Sequence, residues 1–519
     1  MANKSQTGPT NTSILMRTIR RYADRPVITS ADQVISYRQL GDYIARAQVV
    51  LSSLGIASDA FTAMLGRNGA GIWMVGQAVQ ALGGRMCNLH PMGSLQDHLG
   101  VIDRCGARCL IVDPASYGER GAEIAAARPD LKLYSLGPSG FAPDLQVMIA
   151  AVGSASMKDL SDPFGIMVCT FTGGTTGEPK MIIASHRRFA AGNLAFSANF
   201  ELAPVPRVLA TGPITHVTAS LLFPTFMRGG SVHMLSGFNP EEVVRTVEKE
   251  RINTTLMVPT MIYTLLDSPS LKNADMSSLD MVLYSASPMS PSRLGEAVDR
   301  LGPVFAQLYA QSEIGPITYM PKADHDPNRP ERFGACGFPV AECEVRLLDE
   351  AGNEVPVGVA GEICARAPYA FEGYHGNDEA TAEALRDGWV HTGDIARMDE
   401  EGRLFIVDRK KDMIVSGGFN IFPREVEDVI ATLSEVSSCA IIGEPHHHWG
   451  EAVCAYVVLK PGASLSAEAV MQRVKEVKGS VHAPKEVRFV DALPLTPAGK
   501  IDKKPLRAKA WSSADRMVN

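Results

Sequence analysis

The chain has 519 residues, of which 45% are apolar and 21% charged, and its formal net charge is -7. That length exceeds one ordinary hydrophobic core, so at least two domains are expected, and the composition excludes extensive disorder. Net negative charge without a basic cluster excludes nucleic acid or an anionic membrane as the main partner.

Each long apolar run is broken by Gly, Ser or a charge before it reaches transmembrane length. Residues 1–12 are polar, lack the apolar core of a signal peptide and read as a frayed start, which implies a cytoplasmic protein. Val34–Ser36 is strand-like and leads into a helix with Leu40, Tyr43, Ile44, Ala47, Val50, Leu51 and Leu54 on one face, closed by Gly55. Residues 72–82 give another helix, and Cys109–Val112 an apolar strand. Residues 254–258, 281–284 and 304–308 read as buried parallel strands, each following helical sequence. After about residue 335 polar and apolar residues alternate, as in Glu344–Leu348 and 362–365, which predicts antiparallel strands. A small α+β unit follows the charged stretch Asp408-Arg409-Lys410-Lys411-Asp412. Its helices are predicted at 424–433 and 467–477, and its strands at 437–442, 452–459 and 486–490.

Cysteines 87, 105, 109, 169, 336, 343, 364, 439 and 454 are scattered without metal-type pairing and read as buried reduced thiols. The triplet His446-His447-His448 has no second ligand cluster and reads as a solvated loop.

The densest chemical signal is Thr170-Phe171-Thr172-Gly173-Gly174-Thr175-Thr176-Gly177-Glu178-Pro179-Lys180, after the apolar run 165–169. Three glycines let successive backbone N–H groups converge, threonine hydroxyls add donors, and a lysine adds positive charge: a polyphosphate cradle. It is not the P-loop of kinases, which ends Gly-Lys-Ser/Thr and opens directly into a helix. Glu178 and Pro179 separate Gly177 from Lys180.

This loop resembles the signature of the adenylate-forming superfamily, and the resemblance continues in order from about residue 25 to 506. Pro213-Ile214-Thr215-His216 is similar to the stretch bordering the acyl pocket, and Ser285-Ala286-Ser287-Pro288-Met289 to the adenine-side Gly-Gly-Ala-Pro loop. Tyr309-Ala310-Gln311-Ser312-Glu313 is similar to Tyr-Gly-x-Thr-Glu. Asp387-Gly388-Trp389-Val390-His391-Thr392-Gly393-Asp394, the 408–412 stretch, Gly417-Gly418-Phe419-Asn420-Ile421-Phe422-Pro423 and Pro494-Leu495-Thr496-Pro497-Ala498-Gly499-Lys500 complete the series. Within the superfamily the chain most resembles AMP-forming acid–CoA ligases, or acyl-CoA synthetases.

The resemblance implies an α/β fold, with a large N-terminal AMP-binding domain, 1–409, of stacked α/β layers with an antiparallel β subdomain. A small mobile α+β lid, 410–519, would turn about Lys411. It implies ATP, Mg2+ and coenzyme A as co-reactants. Lys500, Glu313, Thr175, Lys180 and His216 form the implied catalytic set, with Glu313 and Thr175 at the metal. Thr172, Gly173, Gly174, Thr175, Thr176, Gly177, Lys180, Ser285, Ala286, Ser287, Tyr309, Ala310, Gln311, Ser312, Asp394, Arg409 and Lys500 would meet the nucleotide. Gly417, Gly418 and Phe419 would serve thiol attack. The implied acyl pocket takes in His216, Thr218, Ser220, Ser285, Ala286, Ala310, Gly315 and Pro316. Three departures stand out: Gly173 for the family's Ser, Ser285-Ala286-Ser287 for Gly-Gly-Ala, and Ala310 for Gly.

The stretch 213–224 contains no acid to pair a substrate ammonium, which argues against an amino acid and for an apolar aliphatic or aromatic acid. The many small pocket residues suggest room for a branched or ring-bearing acid. Loading of an acyl-carrier protein is the alternative to CoA transfer. A degenerate nucleotide-binding protein is the other, and the presence of Lys500, Glu313 and Asp394 argues against it. Partners are thus the acid, ATP and CoA; the residues leave a homodimer open.

Overall fold

The computed structural model describes residues 8–56, 60–171, 180–416, 419–446, 449–496 and 500–511. Helix Tyr37–Ser53 shows how local chemistry sets the elements. The Ser36 hydroxyl accepts the Gln39 N–H and the Gln39 side-chain carbonyl accepts the Ser36 N–H, a reciprocal cap. Leu40, Ile44, Ala47 and Leu51 are fully buried on one face, as the spacing predicts, and Gly55 turns the chain away at a φ of 69°. Ahead of it, helix Asn11–Arg21 is capped by Thr10, and Thr10, Asn11 and Thr12 are all buried. The expected frayed start therefore does not extend to residue 12. A capping box and the Thr10 hydroxyl on Asp159 hold residues 10–12 in place.

Two large sheets carry the N-terminal part. In the nine-stranded sheet, Pro26–Thr29, Ser231–Met234, Arg207–Ala210, Thr254–Met257, Met281–Ser285 and Phe305–Gln311 run parallel as neighbours. Gly315–Met320 and Phe338–Pro339 then add antiparallel at that edge. Antiparallel pairing at this edge thus starts at 315, ahead of the expected change near 335, because a tight return at 312–314 sends the chain straight back along Phe305–Gln311; earlier antiparallel pairs join Val34–Ser36 to Pro26–Thr29 and Met181–Ser185 to Ile166–Phe171. The six-stranded sheet orders Lys132–Ser135, Cys109–Val112, Phe61–Leu65, Arg85–Asn88, Ile166–Phe171 and Met181–Ser185. Helices Tyr37–Ser53, Ala70–Ala81, His186–Asn199 and Leu222–Met227 share one apolar core with strands of both sheets.

An antiparallel sheet of Glu344–Leu348, Gly361–Arg366, Trp389–Met398, Leu385–Arg386 and Leu404–Arg409 follows. The C-terminal unit has its own sheet, whose strands Val436–His446 and Gly450–Leu459 form a long hairpin, with Glu486–Phe489 added parallel. His446 ends that hairpin strand, its ring nitrogen accepting the Trp449 N–H, rather than lying in a loop; 447 and 448 fall outside the described residues. All nine cysteines are buried and unbridged, as expected. Among the described residues no helix is long and apolar enough to cross a membrane.

Gly337 joins the large sheet to the antiparallel one. It bridges to Leu404, its φ is 92°, and a Cβ there would overlap the Tyr319 carbonyl and the Met320 N–H. Gly337→Ala should therefore destabilise the protein by about 3 kcal/mol or more, combining left-handed strain with a backbone clash. Equilibrium denaturation of the variant against the parent checks this.

Candidate active site

The strands on either side of the cradle pair with each other. Ile166–Phe171 pairs antiparallel with Met181–Ser185, and Phe171 stands opposite Met181. Thr172, Gly173, Gly174, Thr175, Thr176 and Gly177 fall outside the described residues. Lys180, at the exit, places its ammonium 4.9 Å from the Tyr374 ring centroid. The Tyr374 hydroxyl donates to Glu313 Oε1 at 2.9 Å, so the lysine and the glutamate contact one side chain. Arg188, buried in helix His186–Asn199, donates to the carbonyls of Ser312 and Tyr369 at 2.6 and 2.9 Å. It fixes the loop that carries Glu313.

The strand Phe305–Gln311 shifts register between Tyr309 and Ala310, a bulge of the kind that re-aims side chains beside a site. The Tyr309 hydroxyl and Gln311 Nε2 both donate to Asp394 Oδ2 at 2.7 Å. Arg409 Nε lies 3.3 Å from Asp394 Oδ1. Burial and the neighbouring Asp394 push the Tyr309 hydroxyl well above its ordinary pKa, so it stays a donor. Strands Trp389–Met398 and Leu404–Arg409 bring the aspartate and arginine together, since Asp394 and Arg409 are register partners.

Lys500 reaches the same place from the C-terminal unit. Its N–H donates to the Thr496 hydroxyl and its carbonyl accepts the Thr496 N–H, closing a short turn whose residues 497–499 lie outside the described set. Its ammonium is within electrostatic reach of Arg409, Asp394 and His216. Desolvation, then repulsion from Arg409 partly offset by Asp394, brings the Lys500 pKa down to about 8. His216 is an exposed residue, yet its ring packs against His90 and is partly desolvated by the surrounding protein. Desolvation, then His90 and Lys500, push its pKa down to about 4, so it is neutral at pH 7. Thr215 Oγ1 lies 2.9 Å from its Nδ1, and His90 packs edge-on at 4.9 Å between centroids.

Among the implied pocket residues, Thr218 and Ser285 are buried and Pro316 accepts the Tyr369 hydroxyl at its carbonyl. Gly315 has a φ of 77°, and a Cβ there would press on the Tyr369 ring at 3.3 Å. The Ser220 hydroxyl is committed to the Val217 carbonyl at 2.7 Å, which uses up its donor inside a 3-10 turn. Ala286 sits at a φ of 77°, the left-handed region. The departure from the family's glycine at this position therefore has a physical cost: the backbone asks for glycine, and alanine occupies the position under strain. Ser287 and Ala310 are partly exposed beside it.

Lys411 lies in the 3-10 turn Lys410–Asp412 between strands Leu404–Arg409 and Ile414–Ser416. Gly417 and Gly418 fall outside the described residues, and Phe419, next to them, is 59% exposed. Sequence reading missed Tyr374 and Arg188 and gave Gln311 to the nucleotide, whereas here its amide holds Asp394. A β-bridge from Ile182 to Tyr374 brings that tyrosine in across 192 residues of chain, and no local spacing signals it. Replacing Ala286 by Gly should relieve the strained φ and stabilise the protein by up to about 1 kcal/mol, the looser unfolded chain offsetting part of the gain. Thermal unfolding with and without ATP checks both the sign and any loss of loop order.

The model of the AMP-binding enzyme family matches residues 15–375, and that of the AMP-binding enzyme C-terminal domain matches 425–500. The medium/long-chain-fatty-acid–CoA ligase FadD8 of Mycobacterium tuberculosis is 40% identical over 98% of this chain and 91% of its own length. A feruloyl-CoA synthase of Amycolatopsis sp is 34% identical over 78% and 79% respectively. The solved amide bond synthetase McbA of Marinactinospora thermotolerans superposes with a TM-score of 0.88 at 30% identity, covering 96% of this chain and 99% of its own. The hairpin of Ile166–Phe171 with Met181–Ser185, the Asp394 cluster and Lys500 thus sit in a fold shared along almost the whole chain: the protein belongs to the AMP-binding enzyme family of adenylate-forming ligases.

Proposed function

We infer that the chain is an AMP-forming acid–CoA ligase, which joins a carboxylic acid to ATP with release of pyrophosphate and then exchanges AMP for coenzyme A. The observation that carries this reading is the meeting of Lys500, Arg409 and Asp394 at one cleft, with a neutral His216 beside them. In the first half-reaction two anions, a carboxylate and the α-phosphate, must approach each other. A desolvated ammonium at Lys500 offsets their repulsion and orients the attacking oxygen. Asp394 has acceptor capacity suited to two ribose hydroxyls, with Arg409 holding it in place. Ser312 and the cradle Thr172–Gly177 would receive the phosphates, and the Tyr309 ring would lie against adenine. Glu313 offers a hard oxygen donor of the kind Mg2+ takes, with Thr175 as its companion; the ion would neutralise polyphosphate charge.

Thiol attack needs a different face of the C-terminal unit. We assign it to Gly417, Gly418 and Phe419, reached by rotation of residues 410–519 about Lys411 away from the 1–409 body. The neutral, small-residue pocket favours an apolar acid, fatty or aromatic, and the similarity to FadD8 and to feruloyl-CoA synthase supports that range. Pyrophosphate release across a panel of fatty, branched and aryl acids, with and without CoA, tests the function. Release that depends on an apolar acid, with AMP and acyl-CoA accumulating only when CoA is present, is the expected result. No acid-dependent release from any member would sink the ligase reading. CoA-independent turnover stimulated by a holo carrier protein would replace the acceptor.

Lys500 supplies a pH signature. Its free-enzyme pKa is brought down to about 8, so it is charged below that value and loses its proton as pH rises through it. The adenylation kcat/KM for ATP should therefore fall about tenfold per unit above pH 8, while thiol transfer from supplied acyl-adenylate stays level or rises. Lys500→Ala should cost adenylation about 100-fold or more and spare thiol transfer. Separate assays of the two half-reactions between pH 6.5 and about 9.5 check both; equal losses would overturn the division of labour.

A further inference from the structure

Residues 371–375 touch both halves of the phosphate site. The Phe371 N–H donates to the Glu313 carbonyl at 2.6 Å, and the His375 N–H donates to the Met181 carbonyl at 2.8 Å. Ile182 bridges to Tyr374, and the Tyr374 N–H is held by the Thr381 hydroxyl at 2.9 Å. Glu372 accepts from the Ser185 hydroxyl at 2.5 Å, at the far end of the strand that starts beside Lys180. The segment is thus pinned to the exit of the phosphate hairpin on one side and to the Glu313 loop on the other. Its one side chain in contact with functional groups on both sides is Tyr374, whose hydroxyl donates to Glu313 Oε1 and whose ring faces the Lys180 ammonium.

A carboxylate and an ammonium in a partly dry site attract each other strongly, and a direct pair would compete with the phosphates and their cation for both charges. A tyrosine avoids that outcome by offering each group a weaker, directional partner: one neutral hydrogen bond and one cation–π face. We propose that Tyr374 is a positioning residue for the nucleotide half-reaction, aiming the Glu313 carboxylate through its hydroxyl and the Lys180 ammonium through its ring before ATP arrives. This assignment rests on the ligase reading of the site. It takes that reading further by giving a role to a residue outside the phosphate loop and the Glu313 motif.

The test uses the full chain with Tyr374→Phe, Tyr374→Leu, Glu313→Gln and the Tyr374→Phe/Glu313→Gln pair. Calorimetric binding of ATP, with Mg2+ and with EDTA, is measured beside the two half-reactions. Tyr374→Phe keeps the ring and loses the hydroxyl. It should raise the Mg2+ needed for half-maximal ATP binding and pyrophosphate release about tenfold, and leave ATP binding in EDTA unchanged. Tyr374→Leu should also weaken binding in EDTA, since Lys180 loses its ring. Thiol transfer from supplied acyl-adenylate should stay within about twofold in both variants. In the Glu313→Gln background the Phe substitution should add nothing. Unchanged Mg2+ dependence in Tyr374→Phe overturns the proposal, and so do parallel losses in both half-reactions or additive effects with Glu313→Gln. Failure of the ligase reading would look different: no acid-dependent pyrophosphate from the parent, while the calorimetric comparison still reports on Tyr374.

Discussion

A carboxylate only 5% exposed is costly to ionise unless its oxygens are paired, and Asp394 has three partners from two separate strands. The Tyr309 hydroxyl and Gln311 amide come from strand Phe305–Gln311 of the nine-stranded sheet, and Arg409 from the antiparallel strand paired with that of Asp394. Gly393, next to it, gives its N–H to Glu362, which lies 3.7 Å from the ammonium of Lys410 at the start of the hinge turn. One buried charge therefore sets where the large sheet, the antiparallel sheet and the hinge meet. Removing it would strand two buried donors and a cation, so this position is as much structural as functional. Ribose hydroxyls approaching Asp394 would find an acceptor already oriented, which lowers the ordering cost of binding.

The charges around the cleft follow a second constraint. Arg409 and Lys500 already crowd positive charge there, and desolvation, with this repulsion adding to it, brings the lysine pKa down to about 8. A third cation would add repulsion without a partner, and desolvation of the ring by surrounding protein, with the nearby His90 and Lys500, keeps His216 neutral instead. A neutral imidazole can border an apolar acid without demanding a counter-ion, whereas an imidazolium would. Positive charge is thus concentrated on the side where two anions must meet, and the pocket side stays uncharged.

Much of this was legible in the residues alone. Strands Cys109–Val112 and Glu344–Leu348 fall where the apolar run and the alternation placed them, because short strands follow side-chain periodicity closely. The helix 424–433 was expected a residue late and ends early, at Ile430, since Pro423 opens it and the chain turns at 431–433. Motif strings located Asp394, Arg409, Glu313 and Lys500, which the fold gathers into one region. What the sequence withheld is long-range pairing. Gln311 reaches Asp394 across a bulge, Arg188 reaches the Ser312 carbonyl, and Tyr374 joins the phosphate hairpin through a single bridge. None of these has a local period or composition, and each depends on how separate sheets pack. The strain at Ala286 was half legible: the substitution was visible, but its left-handed φ was not.

A hinge at Lys411, as proposed, would make the two half-reactions exclude each other. Helix Lys503–Trp511 begins three residues after Lys500, and it is tied to the hinge turn by Arg507 on Asp412 at 2.7 Å. Lys503 is buried against Glu427 at 2.7 Å, and burial raises the pKa of nearby Asp408 to about 6. Asp408 in turn accepts the Arg424 N–H at the start of helix Pro423–Ile430. These ties lie just before and after Lys411, and those after it join the Lys500 turn to the hinge turn and to helix Pro423–Ile430. A rotation about Lys411 would then carry Lys500 as part of a rigid body, with no independent freedom for its loop. Withdrawing the ammonium from the cleft and presenting Phe419 to it become one motion. The enzyme would need no separate signal to end adenylation, because the geometry that admits the thiol removes the charge that favours phosphate attack.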